Sequence, residues 1–192
     1  MWVVDLEVQK WRGFAQGYHR GLYKDYDWLM PEQCMDKNFV KQVFYIEDLF
    51  TGFDFARAID MMGLFWNVYY NIDDECLIDA MLYDLSCFCF DHDCRGEKLL
   101  QNELGKVFQV TGALNSLAAI YYDEQPGEDE HSLWFEFYTE VGLNLGKIMR
   151  WTLAFDPREL HGLYHENTMN DRYKRLDKDR HEREDYDPME DW

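Results

Sequence analysis

The sequence predicts an all-α fold, a compact bundle of about six helices followed by an extended, charged C-terminal tail. Three observations support this prediction. Glycines recur at every fourth residue near both ends of the body, apolar residues recur at steps of three and four, and no segment keeps the alternation of a half-buried strand. We expect one helical domain, residues 1–156, and an extension, residues 157–192, that docks on a partner.

The glycine pattern predicts that the first and last helices of the body pack closely together. Glycines at four-residue spacing share one helical face, where backbone can approach backbone. A glycine inside a helix costs about 0.5–1 kcal/mol relative to alanine, so close packing must offset that cost. The expected packing residues are Gly13, Gly17, Gly21, Gly142 and Gly146.

The first two helices follow from apolar spacing and from capping residues. The first runs from about Trp2 to Tyr26. After a loop, the Asp36 side chain can cap the second helix, which Thr51 and Gly52 end.

The third and fourth helices each begin at an acidic residue. Asp54 caps the third, which reaches Tyr70. The fourth opens at Asp73 or Asp74 and continues to a cluster of cysteines.

The last two helices carry the longest apolar repeats. The fifth helix shows apolar or small side chains at Leu100, Leu104, Val107, Phe108, Thr111, Leu114, Ala118 and Tyr121. A turn at Pro126-Gly127 ends it. The sixth helix carries its apolar side from Trp134 to Leu153 and stops before Pro157, because the residue before a proline disfavours helix.

The charge of the chain limits the classes of partner. The formal net charge is −19, from 19 Lys and Arg against 38 Asp and Glu. This charge disfavours nucleic acid and bare anionic membranes as partners, since binding to either needs clustered cations. No run reaches the roughly 18 apolar residues of a membrane span. Asp5, Glu7 and Lys10 interrupt the N-terminal stretch too early for a secretory signal.

Motifs that carry chemistry are missing or incomplete in the sequence. It contains no G-x-S-x-G, P-loop, dinucleotide-binding or H-E-x-x-H pattern. The Cys87–Cys94 segment with His92, the pair His161 and His165, and Glu128-x-x-His131 each resemble part of a metal site without the full ligand set. We therefore expect a protein that is not an enzyme and binds no metal or cofactor.

The five cysteines, an odd number, cannot all pair within one chain. Their spacing leaves buried thiols and one or two disulfides as alternatives. The cysteines are Cys34, Cys76, Cys87, Cys89 and Cys94.

Aromatic residues are abundant, at 17% of the chain. Phe65, Trp66, Tyr69, Tyr70 and the run FEFY could line a lipid or ligand cavity. We favour the alternative that they form core and interface, because large rings dominate both.

The C-terminal tail has a composition that cannot form a core. Residues 171–192 hold six basic and nine acidic side chains. We expect the tail to dock on a partner subunit; the alternative is a helix on the surface of the protein itself. The expected anchors are its large apolar side chains, Tyr173, Leu176, Tyr186, Met189 and Trp192.

Three spaced motifs occur along the chain. The chain shows F-x-x-G-x-x-x-G-L from Phe14 to Leu22, N-x-x-G-K-x-F from Asn102 to Phe108, and a closing G-x-x-x-G at residues 142–146. In this order the motifs resemble those of a loose group of small helical proteins, mostly uncharacterised, that are numerous in ciliated protozoa. The resemblance covers about residues 11–155. Members often have a signal peptide and a cysteine pair, which implies an oxidising lumen, but this chain shows no such signal and carries extra cysteines.

The resemblance implies a cysteine pairing and a fold more than an activity. By it, Cys34 would pair with Cys87, Cys89 or Cys94. We expect a non-catalytic accessory subunit of a large assembly, such as a protist mitochondrial respiratory or ATP synthase complex, in the intermembrane space or at the inner membrane. The alternative is a saposin-like lipid-binding module in a secretory lumen or outside the cell.

Overall fold

The computed structural model describes residues 2–51, 58–123, 125–127 and 131–158. Within these ranges the chain is helical and no strand is found, so the predicted all-α class is confirmed. The elements are α1 (Trp2–Tyr23), α2 (Lys37–Thr51), α3 (Ala58–Tyr70), a π-helical turn (Asn71–Glu75), α4 (Ile78–Asp91), α5 (Gly96–Gly105), α6 (Val107–Asp123) and α7 (His131–Leu153).

Helices α1 and α7 form the most extensive contact among the described elements. Their residue numbers advance together along the contact: Gly13 lies against Phe135, and Gly21 lies against Leu143. The two helices are therefore parallel. Because they come from opposite ends of the body, every other helix belongs to the long connection between them.

Glycines allow this parallel pair to approach backbone to backbone. A Cβ atom added at Gly17 would overlap the carbonyl oxygen of Thr139 and would lie 2.8 Å from the amide nitrogen of Leu143. A Cβ at Gly142 would lie 2.8 Å from the amide nitrogen of Tyr18. The structure places every glycine of the predicted packing set at this contact: Gly13, Gly17, Gly21, Gly142 and Gly146.

Arg150 of α7 completes the contact at the C-terminal end of α1. Its guanidinium is buried and donates a hydrogen bond to the carbonyl oxygen of Gly21. The last carbonyls of a helix have no hydrogen-bond partner inside the helix, and they carry partial negative charge. Arg150 supplies both a hydrogen-bond donor and a positive charge at this end of α1. Burial lowers the pKa of Arg150 from its usual value, yet an arginine stays protonated.

The other side of α1 holds the loop that leads to α2. The Arg12 guanidinium donates to the carbonyl oxygens of Pro31, at 3.1 Å, and Cys34, at 2.8 Å. The buried Gln16 side chain accepts a hydrogen bond from the backbone N–H of Met30 at 3.1 Å. These bonds satisfy backbone groups that no regular element would satisfy.

An imidazole packs between aromatic rings at the same side of α1. His19 stacks on Trp28, with ring centroids 3.9 Å apart, and on Tyr23, at 4.6 Å. Burial, with a smaller effect of the neighbouring Arg20 charge, lowers the pKa of His19 to about 3. His19 is therefore neutral at physiological pH and acts as part of the core.

The same loop is tied to the π-helical turn on its far side. The Asn71 side chain accepts from the backbone N–H of Met35 and donates to the carbonyl oxygen of Gln33, both at 2.9 Å. A disulfide joins Cys34 to Cys76 next to these bonds. The loop thus connects the α1–α7 pair to the segment that carries α3.

The predicted pairing of Cys34 with Cys87, Cys89 or Cys94 is wrong. Cys34 pairs with Cys76, Cys89 pairs with Cys94, and Cys87 is a free, half-buried thiol. The reason is distance along α4. Cys76 precedes that helix, whereas the cluster lies at its other end, about 20 Å away at 1.5 Å per residue.

Helix α4 is anchored to α1 by one buried polar contact and one aromatic cluster. The Tyr23 hydroxyl donates to the Asp84 carboxylate at 2.8 Å. Burial, and then the nearby Asp84 charge, raise the pKa of Tyr23 well above its usual value. Leu22, Phe88 and Phe155 pack together beside this pair.

Two predictions about the early helices meet different outcomes. Asp36 caps α2, since its carboxylate accepts the backbone N–H of Phe39 at 2.8 Å. The first helix ends at Tyr23 and not at Tyr26, because Lys24 adopts a left-handed conformation with φ of 59°. The predicted cap Asp54 and the terminating Gly52 lie outside the described residues.

Two boundaries of the later helices differ from prediction. The fourth helix does not open at Asp73 or Asp74, which lie in the π-helical turn; it begins at Ile78, after Leu77 turns the chain with φ of 59°. The predicted fifth helix is two helices, because the backbone leaves helical geometry at Lys106. The body therefore contains α5 and α6 in place of one long helix.

Replacing a contact glycine with alanine should destabilise the fold, whereas the same change at an open glycine should not. We expect Gly17→Ala to lower the free energy of unfolding by about 1–3 kcal/mol or more, because the new Cβ meets backbone atoms that cannot rotate away. Gly112→Ala in α6 is the control: open space surrounds it, and alanine should add about 0.5–1 kcal/mol. Urea unfolding of both variants measures the changes, and a Gly17→Ala protein as stable as Gly112→Ala would contradict the contact.

Peptide mapping of the unreduced protein should find Cys87 as the alkylated cysteine and the pairs Cys34–Cys76 and Cys89–Cys94. Removing the first pair with Cys34→Ala and Cys76→Ala should cost about 4 kcal/mol, because it closes a loop of sequence separation 42. Removing the second pair, with a separation of 5, should cost about 2 kcal/mol on the same chain-entropy basis. Alkylation of all five cysteines in the unreduced protein, unfolded in denaturant so that every thiol is accessible, would contradict both pairs.

Candidate interaction surface

Helix α3 buries one narrow stripe and exposes a broad one. Met61 and Val68 face the core, which α3 reaches mainly through α2 and the π-helical turn. Next to this stripe, large side chains recur at steps of three and four, with Met62 69% exposed and Trp66 60% exposed. We define the α3 aromatic face as Met62, Phe65, Trp66, Tyr69 and Tyr70.

The rings of the α3 aromatic face hold one another in place. Trp66 stacks on Tyr69 with centroids 5.6 Å apart and meets Tyr70 edge-on at 5.8 Å. Tyr69 and Tyr70 also meet edge-on, at 6.2 Å. Such offset and edge-on pairs are favourable, so the rings need little further ordering when a partner binds.

The α3 aromatic face lies in the most acidic part of the described body. Residues 58–94 include eight Asp and Glu and contain no Lys or Arg. Asp73, Asp74 and Glu75 follow α3 directly, in the π-helical turn. The local potential is therefore negative and favours positive charge nearby.

Helix α6 also has one inward and one outward apolar stripe. Val110, Ala113, Leu117 and Ile120 are buried or half-buried, and α6 contacts mainly α7. A neighbouring stripe repeats at steps of four and three and is exposed along its whole length. We define the α6 stripe as Val107, Thr111, Leu114, Ala118 and Tyr121.

The α6 stripe belongs to the clearest apolar repeat in the sequence, the one that predicted the fifth helix. In the structure these side chains are exposed. Phe108, next to the α6 stripe, is 89% exposed. Residues 107–122 contain no charged side chain, although 30% of the whole chain is charged. The α6 stripe therefore offers an uncharged apolar surface, unlike the acidic surroundings of the α3 aromatic face.

A shallow groove lies along the outer side of the α1–α7 contact. It encloses about 320 Å³. At its rim, Lys10 pairs with Glu7 at 2.8 Å and lies 5.0 Å from the centre of the Trp134 ring. The walls are otherwise apolar, so the groove suits a small apolar group; its lining residues are Glu7, Lys10, Trp11, Phe14 and Tyr138.

The part of the chain that the structure describes shows neither a group of three metal-ligating side chains nor a helix long and apolar enough to cross a membrane. The partial metal motifs at Glu128, His161 and His165 lie outside the described residues. The same is true of the predicted tail anchors, Tyr173, Leu176, Tyr186, Met189 and Trp192.

Among the residues that the structure describes, the predicted packing glycines and the predicted aromatic residues lie in different places. The glycines meet at the α1–α7 contact, whereas Phe65, Trp66, Tyr69 and Tyr70, predicted as core or interface, are exposed on α3. Sequence reasoning missed the α6 stripe as a surface. The uncharged run from Val107 to Tyr122 was the signal that could have found it, because a helix that touches one neighbour needs only one apolar side.

Comparison with known proteins finds no matching family model, no matching curated protein and no matching solved structure. The resemblance to ciliate proteins stays a prediction.

Proposed function

We propose that this protein is a non-catalytic structural or accessory subunit of a large multiprotein assembly. A mitochondrial respiratory or ATP synthase complex of a protist is the kind of assembly we favour. The observation that carries the proposal is the exposure of two apolar helix surfaces on one body, the α3 aromatic face and the α6 stripe.

Exposed apolar surface on this scale favours association. Each Å² of apolar surface removed from water contributes about 25 cal/mol, and contiguous patches on a soluble monomer usually mark an interaction site. The two surfaces lie on different helices and differ in charge, one acidic and one neutral. A subunit that contacts two different neighbours would use such a pair.

The body that carries these surfaces is held in one arrangement by the glycine contact and by two disulfides. A rigid body loses little conformational entropy on binding. Disulfides persist in oxidising compartments. We therefore favour the intermembrane space or an inner-membrane complex as the location, with a secretory lumen second.

The C-terminal extension remains part of the proposal. Its mixed charges would orient a partner and raise the association rate more than the affinity. Its apolar anchors would enter pockets of the partner, with Tyr173 and Trp192 as the largest.

The second candidate function is a saposin-like lipid-binding module. The groove between α1 and α7 favours it, because its walls are apolar and its rim carries the Glu7–Lys10 ion pair. Its volume of about 320 Å³ is at the low end of the range for small-molecule sites.

Native electrophoresis of a tagged chain from its source cells tests the proposal. We expect the chain to migrate in an assembly many times the mass of one copy. Substituting Leu114→Ser and Tyr121→Ser on the α6 stripe should release a folded chain, because the buried apolar area is lost. Asn115→Ala, an exposed change on the same helix, is the matched control and should stay in the assembly.

Migration of the wild-type chain at the mass of one copy would contradict the subunit function. If lipid then co-purifies with that single chain, the saposin-like function replaces it. Retention of the α6 variant, with normal circular dichroism, would show that the α6 stripe is not a subunit contact.

A further inference from the structure

We propose that the α3 aromatic face is the docking surface for a basic amphipathic helix of a partner protein, one that carries Lys and Arg beside an apolar stripe. This inference rests on the proposed function and names the partner chemistry of one of its two surfaces.

The shape of the surface favours a helix as the occupant. Met62, Trp66 and Tyr69 recur at the spacing with which one helix offers anchors to another. The Trp66, Tyr69 and Tyr70 rings already contact one another, so they form a fixed ridge. Aromatic anchors of this kind dominate the binding energy of many interfaces.

The charge around the surface selects a basic partner. The ridge runs directly into the acidic π-helical turn with Asp73, Asp74 and Glu75. Lys and Arg are absent from residues 58–94, so this part of the chain supplies no cation of its own to those carboxylates. Cationic borders on the partner would meet them at the end of the ridge and would speed its association.

The same charge disfavours two other occupants. A second copy docked on this face would bring another acidic segment against the first, and each chain carries a net charge of −19. An anionic lipid surface would be repelled for the same reason. The uncharged α6 stripe lacks this selectivity, which is why the inference concerns α3 alone.

Titration of the full-length protein with a synthetic helix of leucine and lysine tests the proposal. Isothermal titration calorimetry should show saturable binding that weakens as salt is raised. Trp66→Ser with Tyr69→Ser should reduce the affinity at least about tenfold. Leu114→Ser with Tyr121→Ser on α6 is the matched control and should leave the affinity within about twofold.

Charge variants and peptide controls distinguish specific docking on the α3 aromatic face from nonspecific attraction between opposite charges. Asp73→Asn with Asp74→Asn should slow association and flatten its salt dependence. A peptide of the same composition in scrambled order, and one with glutamate in place of lysine, should both bind much more weakly. The proposal would be overturned if either control peptide bound as tightly as the leucine–lysine helix. It would also be overturned if the α6 double substitution lowered the affinity and the α3 double substitution did not.

Other occupants have their own signatures, and each overturns the proposal. Dimers in native mass spectra that the α3 substitutions dissociate would assign the face to a second copy. Peptide affinity that rises severalfold when Lys174, Arg175 and Lys178 are changed to glutamine would assign it to the chain's own C-terminal segment. If the chain stays in its native assembly but does not bind the leucine–lysine helix, this inference is wrong and the proposed function is unaffected.

Discussion

The backbone contact between the first and last helices is the constraint on which the rest of the structure depends. Glycines on both helices bring α1 and α7 so close that a Cβ atom has no room at the contact. The helices are parallel, so the chain must travel out and back between them. Bringing the two ends of such a long loop together costs conformational entropy before the α1–α7 contact forms. We therefore expect the protein to fold slowly.

The helices of the connection pack onto the α1–α7 pair in different ways. Helix α4 reaches the pair through Tyr23 and Asp84, and α3 is attached through the loop that Arg12, Asn71 and the Cys34–Cys76 disulfide hold. Helices α3 and α6 each bury a single stripe and keep a second apolar stripe in water. Two apolar stripes therefore remain exposed on the described body.

The sequence predicted the fold well where the signal was local. The glycine spacing and the Asp36 cap depend on residues a few positions apart, and both appear in the structure. Two predictions failed because local spacing does not determine them. One is which cysteine lies beside Cys34, and the other is that a π-helical turn precedes α4, so that the helix begins later than expected. Periodicity also showed that α6 has an apolar side from Val107 to Tyr121, but periodicity alone does not say whether the neighbour belongs to the same chain.

Native-state hydrogen exchange of the isolated protein tests the glycine contact most directly. Backbone amides of α1 and α7 around Gly17 and Gly142 should exchange only through global unfolding, because their helices are buried against each other. Amides of α3 and α6 should exchange through local openings at least about 2 kcal/mol lower in free energy. Exchange of α1 and α7 at the same low free energy as α3 and α6 would contradict a body built on the contact between its first and last helices.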